Sequence, residues 1–109
     1  MPDNLLLKLE PFKEAVKKVL GASYVRMVVY GSYARGDYRS DSDLDILVLA
    51  DVEPEKLSPY SNAIYDLAYD YGEELGIEIN PVIQSNSVYE YWRRVYPFFM
   101  NIDQEGVAV

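Results

Sequence analysis

The chain has 109 residues, half of them apolar or aromatic, and carries a formal net charge of −8 with no cysteine and no histidine. That length supports one domain around one modest core, and the missing residue types exclude disulfides, thiolate or histidine catalysis and most zinc sites, so acid–base or metal chemistry must rest on carboxylates. The acidic balance argues against direct nucleic-acid binding, and no apolar run is long enough to cross a membrane.

Residues 3–20 carry a helical pattern. Phe12, Ala15, Val16, Val19 and Leu20 recur at helical spacing, with Lys13, Glu14, Lys17 and Lys18 opposite them. Pro11 predicts that the helix proper starts near Glu10, with Leu5 to Leu9 as a separate turn or a kinked extension, and Gly21 stops it. Residues 25–30 form a first strand whose single charge is Arg26. Residues 31–42 form a polar loop in which Ser32 caps a short helical turn over Tyr33-Ala34-Arg35. Residues 43–49 form a second strand, followed by an acidic loop containing Pro54.

Ser58-Pro59 opens a long helix as N-cap and first turn, running to about Leu75. Ile64, Leu67, Ala68, Tyr71 and Leu75 form its apolar stripe; Gly72 weakens it and Gly76 ends it. Tyr60, Tyr65 and Tyr69 fall off that stripe, either as shields of the helix edge or as a partner surface. Residues 77–83 alternate as a third strand, and Pro81 confines them to an edge or to the end of a pairing. Ser87-Val-Tyr-Glu90 has the form of a capping box opening another helix, with Trp92 and Val95 directed to the core. Pro97 opens a last turn over residues 98–105, ended by Gly106.

The chemistry gathers around the loop. In a strand, Asp43 and Asp45 share a face with Leu47 and Leu49, opposite Leu44, Ile46 and Val48. Two acids side by side on one sheet face repel, and a divalent cation such as Mg²⁺, which takes hard oxygen ligands, offsets that. An isolated Asp-x-Asp is more often a solvated strand end. On the far side of the loop, Gly31 permits a tight bend, and Ser32 with the free N–H groups of the following turn suits a phosphate. Read alone, that is an ordinary turn. Arg35 and Arg39 add positive charge nearby. Together, one half suits a phosphate and the other suits the metal that bridges phosphates.

GSYARG at residues 31–36, the ten-residue interval after Gly31-Ser32 and SDLD at residues 42–45 resemble the signature of the polymerase-β-type nucleotidyltransferase superfamily. The added Ala-Arg-Gly, the Ser-Asp and the short length resemble its minimal nucleotidyltransferase (MNT) branch. The resemblance implies an α/β, polymerase β-like nucleotidyltransferase fold, with a small mixed β-sheet of about three or four strands flanked by helices, as a single domain over residues 1–109. It implies catalytic and metal-binding roles for Asp43, Asp45 and Glu78. Glu78 is then the third carboxylate, on the strand after the Asp-x-Asp strand, where relatives more often carry Asp; the plainer reading is a solvent-facing strand residue. Nucleotide binding falls to Gly31, Ser32, Arg35 and Ser42.

The implied reaction needs one or two Mg²⁺ ions and transfers AMP or another NMP from ATP or another NTP to a hydroxyl, releasing pyrophosphate. Glu78 would help bind a second metal or act as base. MNT proteins resembling this one pair with a HEPN-domain RNase toxin, act as its antitoxin and can adenylylate a toxin tyrosine, so a HEPN partner is expected. Larger relatives append domains that hold the acceptor. The chain ends at Val109, soon after its last helix, so the acceptor or a partner is expected to supply the other wall of the cleft. A non-catalytic antitoxin that neutralises by docking, and a small-molecule transferase with a separate substrate subunit, stand as alternatives. Self-association is left open. A cytoplasmic location is expected, because the N-terminus lacks the basic start and small-residue cleavage site of a signal peptide.

Overall fold

The computed structural model describes residue 2 and residues 4–109. Helix α1 (Leu5–Leu20) is continuous and includes Pro11, which corrects the expected start near Glu10. Pro11 is exposed, and the carbonyl it leaves without an N–H partner belongs to Leu7, itself 78% exposed, so water can take the lost bond. Leu5, Leu9, Phe12, Val16 and Leu20 form the buried stripe, which begins about two turns before the Phe12 at which the sequence pattern starts. Residue 3, also read as helical, lies outside the described residues. Gly21 ends the helix at φ 56°, its N–H donating to the Lys17 carbonyl.

Strand β1 (Tyr24–Tyr30) leads into a single helical turn, α2 (Ser32–Arg35), and then to strand β2 (Leu44–Ala50). Helix α3 (Ser58–Leu75) carries the chain across to strand β3 (Ile79–Ser85). Helices α4 (Asn86–Trp92) and α5 (Pro97–Glu105) follow, and a two-residue strand β4 (Val107–Ala108) closes the chain. The sheet order is β3-β2-β1-β4, with β2–β3 parallel and the other pairs antiparallel. It is the mixed α/β arrangement expected. Pro81 sits on the edge strand β3, opposite Ile46, where its missing N–H breaks no inner ladder.

Both faces of β2 are buried, and alternation sorts them. Leu44, Ile46 and Val48 join Met27, Val29 and the stripe of α1 in one cluster, with Ile64 and Ala68 of α3. Leu47 and Leu49 pack on the opposite face with Val28, Tyr89, Phe99 and Ile102. Asp43 and Asp45 continue this second row beyond the apolar part of the face.

Several local expectations shift by a residue. Ser58 and Ser32 are the first helical residues rather than the caps; Leu57 and Gly31 hold the cap positions. Helix α4 starts directly from the end of β3, so the Ser87–Glu90 box does not open it; Ser87 Oγ lies 3.0 Å from the buried Ser85 Oγ. Trp92 and Val95 are 45% and 62% exposed, against the core positions predicted for them. Helix α4 is short and presents one large buried ring, Tyr89; Phe99 and Ile102 of α5 fill the remaining space.

Gly72 does more than weaken α3. A Cβ there would lie 2.7 Å from the Ile77 carbonyl oxygen, so the helix packs against the approach to β3 only without a side chain. Gly72→Ala is therefore expected to destabilise the fold by up to about 2 kcal/mol, an overpacking cost of about 1–3 kcal/mol less the roughly 1 kcal/mol that alanine's better helix propensity returns. Chemical denaturation of the two proteins checks this; a stabilised variant contradicts it.

Candidate active site

The site forms where β1 breaks. Gly31 takes φ 74°, and the following turn is closed by the Ala34 and Arg35 N–H groups donating to the Gly31 carbonyl. Tyr33 is buried and stacks on Tyr38 at 4.6 Å, anchoring the loop. Ser42 Oγ accepts the Arg39 N–H at 2.8 Å, and the Ser42 N–H returns to the Arg39 carbonyl at 3.1 Å. This reciprocal pair fixes the turn that delivers Asp43 to the head of β2. Arg39 thus serves through its backbone; its side chain does not line the cavity.

The bend and the acids line one cavity of about 430 Å³. Gly31, Ser32, Arg35, Ser42, Asp43 and Asp45 form one side, so all the residues expected at the nucleotide and two of the three carboxylates come together. Tyr30 of β1 and, from α5, Phe98, Asn101, Ile102 and Glu105 complete the lining. Arg35 is held at 3.2 Å from Glu105 and 3.4 Å from Asp37, an exposed link between α2 and α5 worth little in stability. Phe98 meets Tyr30 edge to face at 5.7 Å.

Glu78 lies just before β3 rather than within it, and its carbonyl accepts the Leu44 N–H at 2.8 Å. It stands beside Asp43 but does not line the cavity. Hydrogen bonding to Asp43, and then the charge of Asp43, raise the Glu78 carboxyl above its ordinary value. Among the described residues, no three acidic groups converge closely enough to hold a metal by themselves. Asn80, two residues on, donates from Nδ2 to Asp45 Oδ1 at 3.2 Å.

Sequence reasoning missed Asn80, Tyr30 and the α5 wall. Asn80 shares a strand face with Glu78, so the same alternation signals it; nothing local places α5 over the bend. Burial, and secondarily the Asp45 charge, push the Tyr30 hydroxyl up to about 12. Its folded value exceeds the ordinary 10.0, so the folded state keeps its proton longer than the unfolded chain. Stability from this group is present below pH 10 and is lost as pH rises towards 12. Tyr30→Phe is expected to flatten that part of the melting-temperature profile; an unchanged slope contradicts it.

The sequence profile of the nucleotidyltransferase domain family matches residues 9–95, which include the bend, both aspartates and Glu78. The chain belongs to the nucleotidyltransferase domain family. This nucleotidyltransferase is 28% identical over 99 residues to a Methanocaldococcus jannaschii protein named for protein adenylyltransferase activity, the match spanning 90% of each chain. A solved toxin–antitoxin structure with AMP-PNP superimposes with TM-score 0.58 at 18% identity, over 91% of this chain and 70% of that one. A chain from the complex of tri-AMPylated Shewanella oneidensis HEPN toxin with its MNT antitoxin gives TM-score 0.58 at 16% identity, over 94% and 69%. At those identities the likeness shows a common fold. Among the described residues, no helix is long and apolar enough to cross a membrane.

Proposed function

We propose that this nucleotidyltransferase transfers AMP from ATP, with Mg²⁺, to a tyrosine hydroxyl of a HEPN-domain partner and so acts as its antitoxin. The observation that carries the reading is the lining of a single cavity by Asp43, Asp45 and the Gly31-Ser32 bend. Phosphate and metal requirements meet there.

The residues present fit a divalent cation. Asp43 and Asp45 offer hard oxygens, and the Asp43–Glu78 pair is a crowding of negative charge that a cation relieves. When bound, Mg²⁺ supplies charge neutralisation at the phosphates and a template for in-line displacement. Asp43 and Asp45 would hold it, with the nucleotide phosphates completing the ligand set.

The chain's own residues do the rest. Gly31 and Ser32 seat the triphosphate, Ser42 orients the strand head, and Arg35 faces phosphate charge from the rim. The tyrosine oxygen bonds to the α-phosphorus as the bond to the pyrophosphate oxygen breaks. Glu78, the carboxylate beside Asp43, takes the tyrosine proton, and pyrophosphate leaves with the broken bond's electrons.

A protein acceptor suits the surface beside the cavity. Phe98 is shared with a second, apolar cavity of about 530 Å³ lined by Val82, Val88, Trp92, Tyr96 and Phe99. Exposed aromatic side chains of this kind are enriched at protein interfaces. Labelled ATP, Mg²⁺ and a HEPN protein provide the test. AMP on a partner tyrosine, found by mass spectrometry together with loss of RNase activity, is the expected result. Neutralisation without label transfer would make docking alone the function.

A further inference from the structure

The two aspartates of the site receive different neighbours from β3. Asp43 meets Glu78, another acid, whereas Asp45 meets Asn80, a neutral donor. Asp45 is also the acid with a strand on either side, registered against Tyr30 on β1 and Asn80 on β3. Its two oxygens are located separately. Oδ1 accepts from Asn80 Nδ2 at 3.2 Å, and Oδ2 lies 2.5 Å from the point a Cβ on residue 31 would occupy.

Without such contacts an aspartate carboxylate turns broadly about its last torsion. One amide donor on one oxygen and a close backbone on the other remove that freedom. A carboxylate at position 80 would keep the side-chain shape, lose the donor and set a second negative charge against Asp45. The geometry points to Asn80 as the positioning residue of Asp45: its amide holds one oxygen without adding charge, so the carboxylate meets the cation–nucleotide complex in one orientation. This rests on the nucleotidyltransferase function proposed above.

Asn80 is exposed and lies on the edge strand, so Asn80→Ala and Asn80→Asp should leave the fold intact, which melting temperature checks. Two quantities are then read: the Mn²⁺ affinity of the protein with AMP-PNP, by electron paramagnetic resonance, and the kinetics of AMP transfer to the HEPN protein. Asn80→Ala, which removes the donor without adding charge, is expected to lose about 10–100-fold in Mn²⁺ affinity, as second-layer partners of metal ligands typically do. In Asn80→Asp the added charge attracts the cation, so the lost orientation is read there from kcat, which should fall in both variants while KM for the partner stays unchanged. Mn²⁺ affinity within twofold of wild type in Asn80→Ala overturns the assignment and leaves the transferase reading intact. Tighter Mn²⁺ binding and faster turnover in Asn80→Asp also overturns it, because position 80 then serves better as an acid. Failure of the wild-type protein to bind Mn²⁺ with the nucleotide removes the transferase reading itself.

Discussion

Asp43→Asn should reduce AMP transfer by at least about a thousandfold while leaving the fold in place. The activity loss follows from charge. A bound cation contributes several kcal/mol of transition-state stabilisation, and each 1.36 kcal/mol is tenfold in rate. An amide in place of the carboxylate weakens the hold on that cation directly. The fold survives because Asp43 is exposed and precedes the ladder of β2, so no strand pairing depends on its side chain. Asp45→Asn should be as severe for activity and as mild for the fold, since an asparagine oxygen can still accept from Asn80. Single-turnover label transfer and thermal melts of both variants check the pair; transfer within tenfold of wild type would remove these aspartates from the chemistry.

Gly31→Ala should damage stability and activity together, for two separable reasons. Gly31 holds φ 74° with ψ −151°, a region essentially confined to glycine that costs an L-residue roughly 1–3 kcal/mol. The new methyl group would also arrive 2.5 Å from Asp45 Oδ2, with the Asp45 carboxyl carbon at 3.4 Å. Something must move, and the movable group is the Asp45 carboxylate. A displacement of about 1 Å is enough for a loss near a hundredfold in rate. The expectation is therefore about 1–3 kcal/mol of stability and about two orders of magnitude in kcat. Gly21→Ala is the matched control. Gly21 also has positive φ, 56°, but a Cβ there meets nothing within 4 Å. It should lose stability by backbone strain alone and keep its activity. Equal loss of activity in both variants would show that the approach of Gly31 to Asp45 has no special role.

The legible parts of this molecule are those governed by neighbours in sequence. The alternation from Leu44 to Leu49 sorts its side chains to two faces as read, and the break at Gly31 is where the chain turns. Gly21, Gly76 and Gly106 end their helices where predicted. Misreadings occur where a local rule competes with packing. Pro11 was expected to begin a helix, yet Leu5 and Leu9 extend the buried stripe and hold the preceding turn helical. Trp92 reads as a core residue by size and apolarity, but α5 covers the sheet first. Strand β4 is two residues long, too short to show alternation, and exists because β1 offers it an open edge.

By itself, the sequence determined that Asp43 and Asp45 share a side of a strand that begins beside a glycine-serine bend, because strand periodicity and backbone freedom act over a few residues. Tertiary structure alone decided that Asn80 faces Asp45, that Glu78 faces Asp43 and that Phe98 and Glu105 close the cavity. Such contacts join residues 35 positions apart along the chain for Asp45 and Asn80 and 70 apart for Arg35 and Glu105. Their register is set by how α3 and α5 pack against the whole sheet, a sum over many buried contacts that no local pattern records.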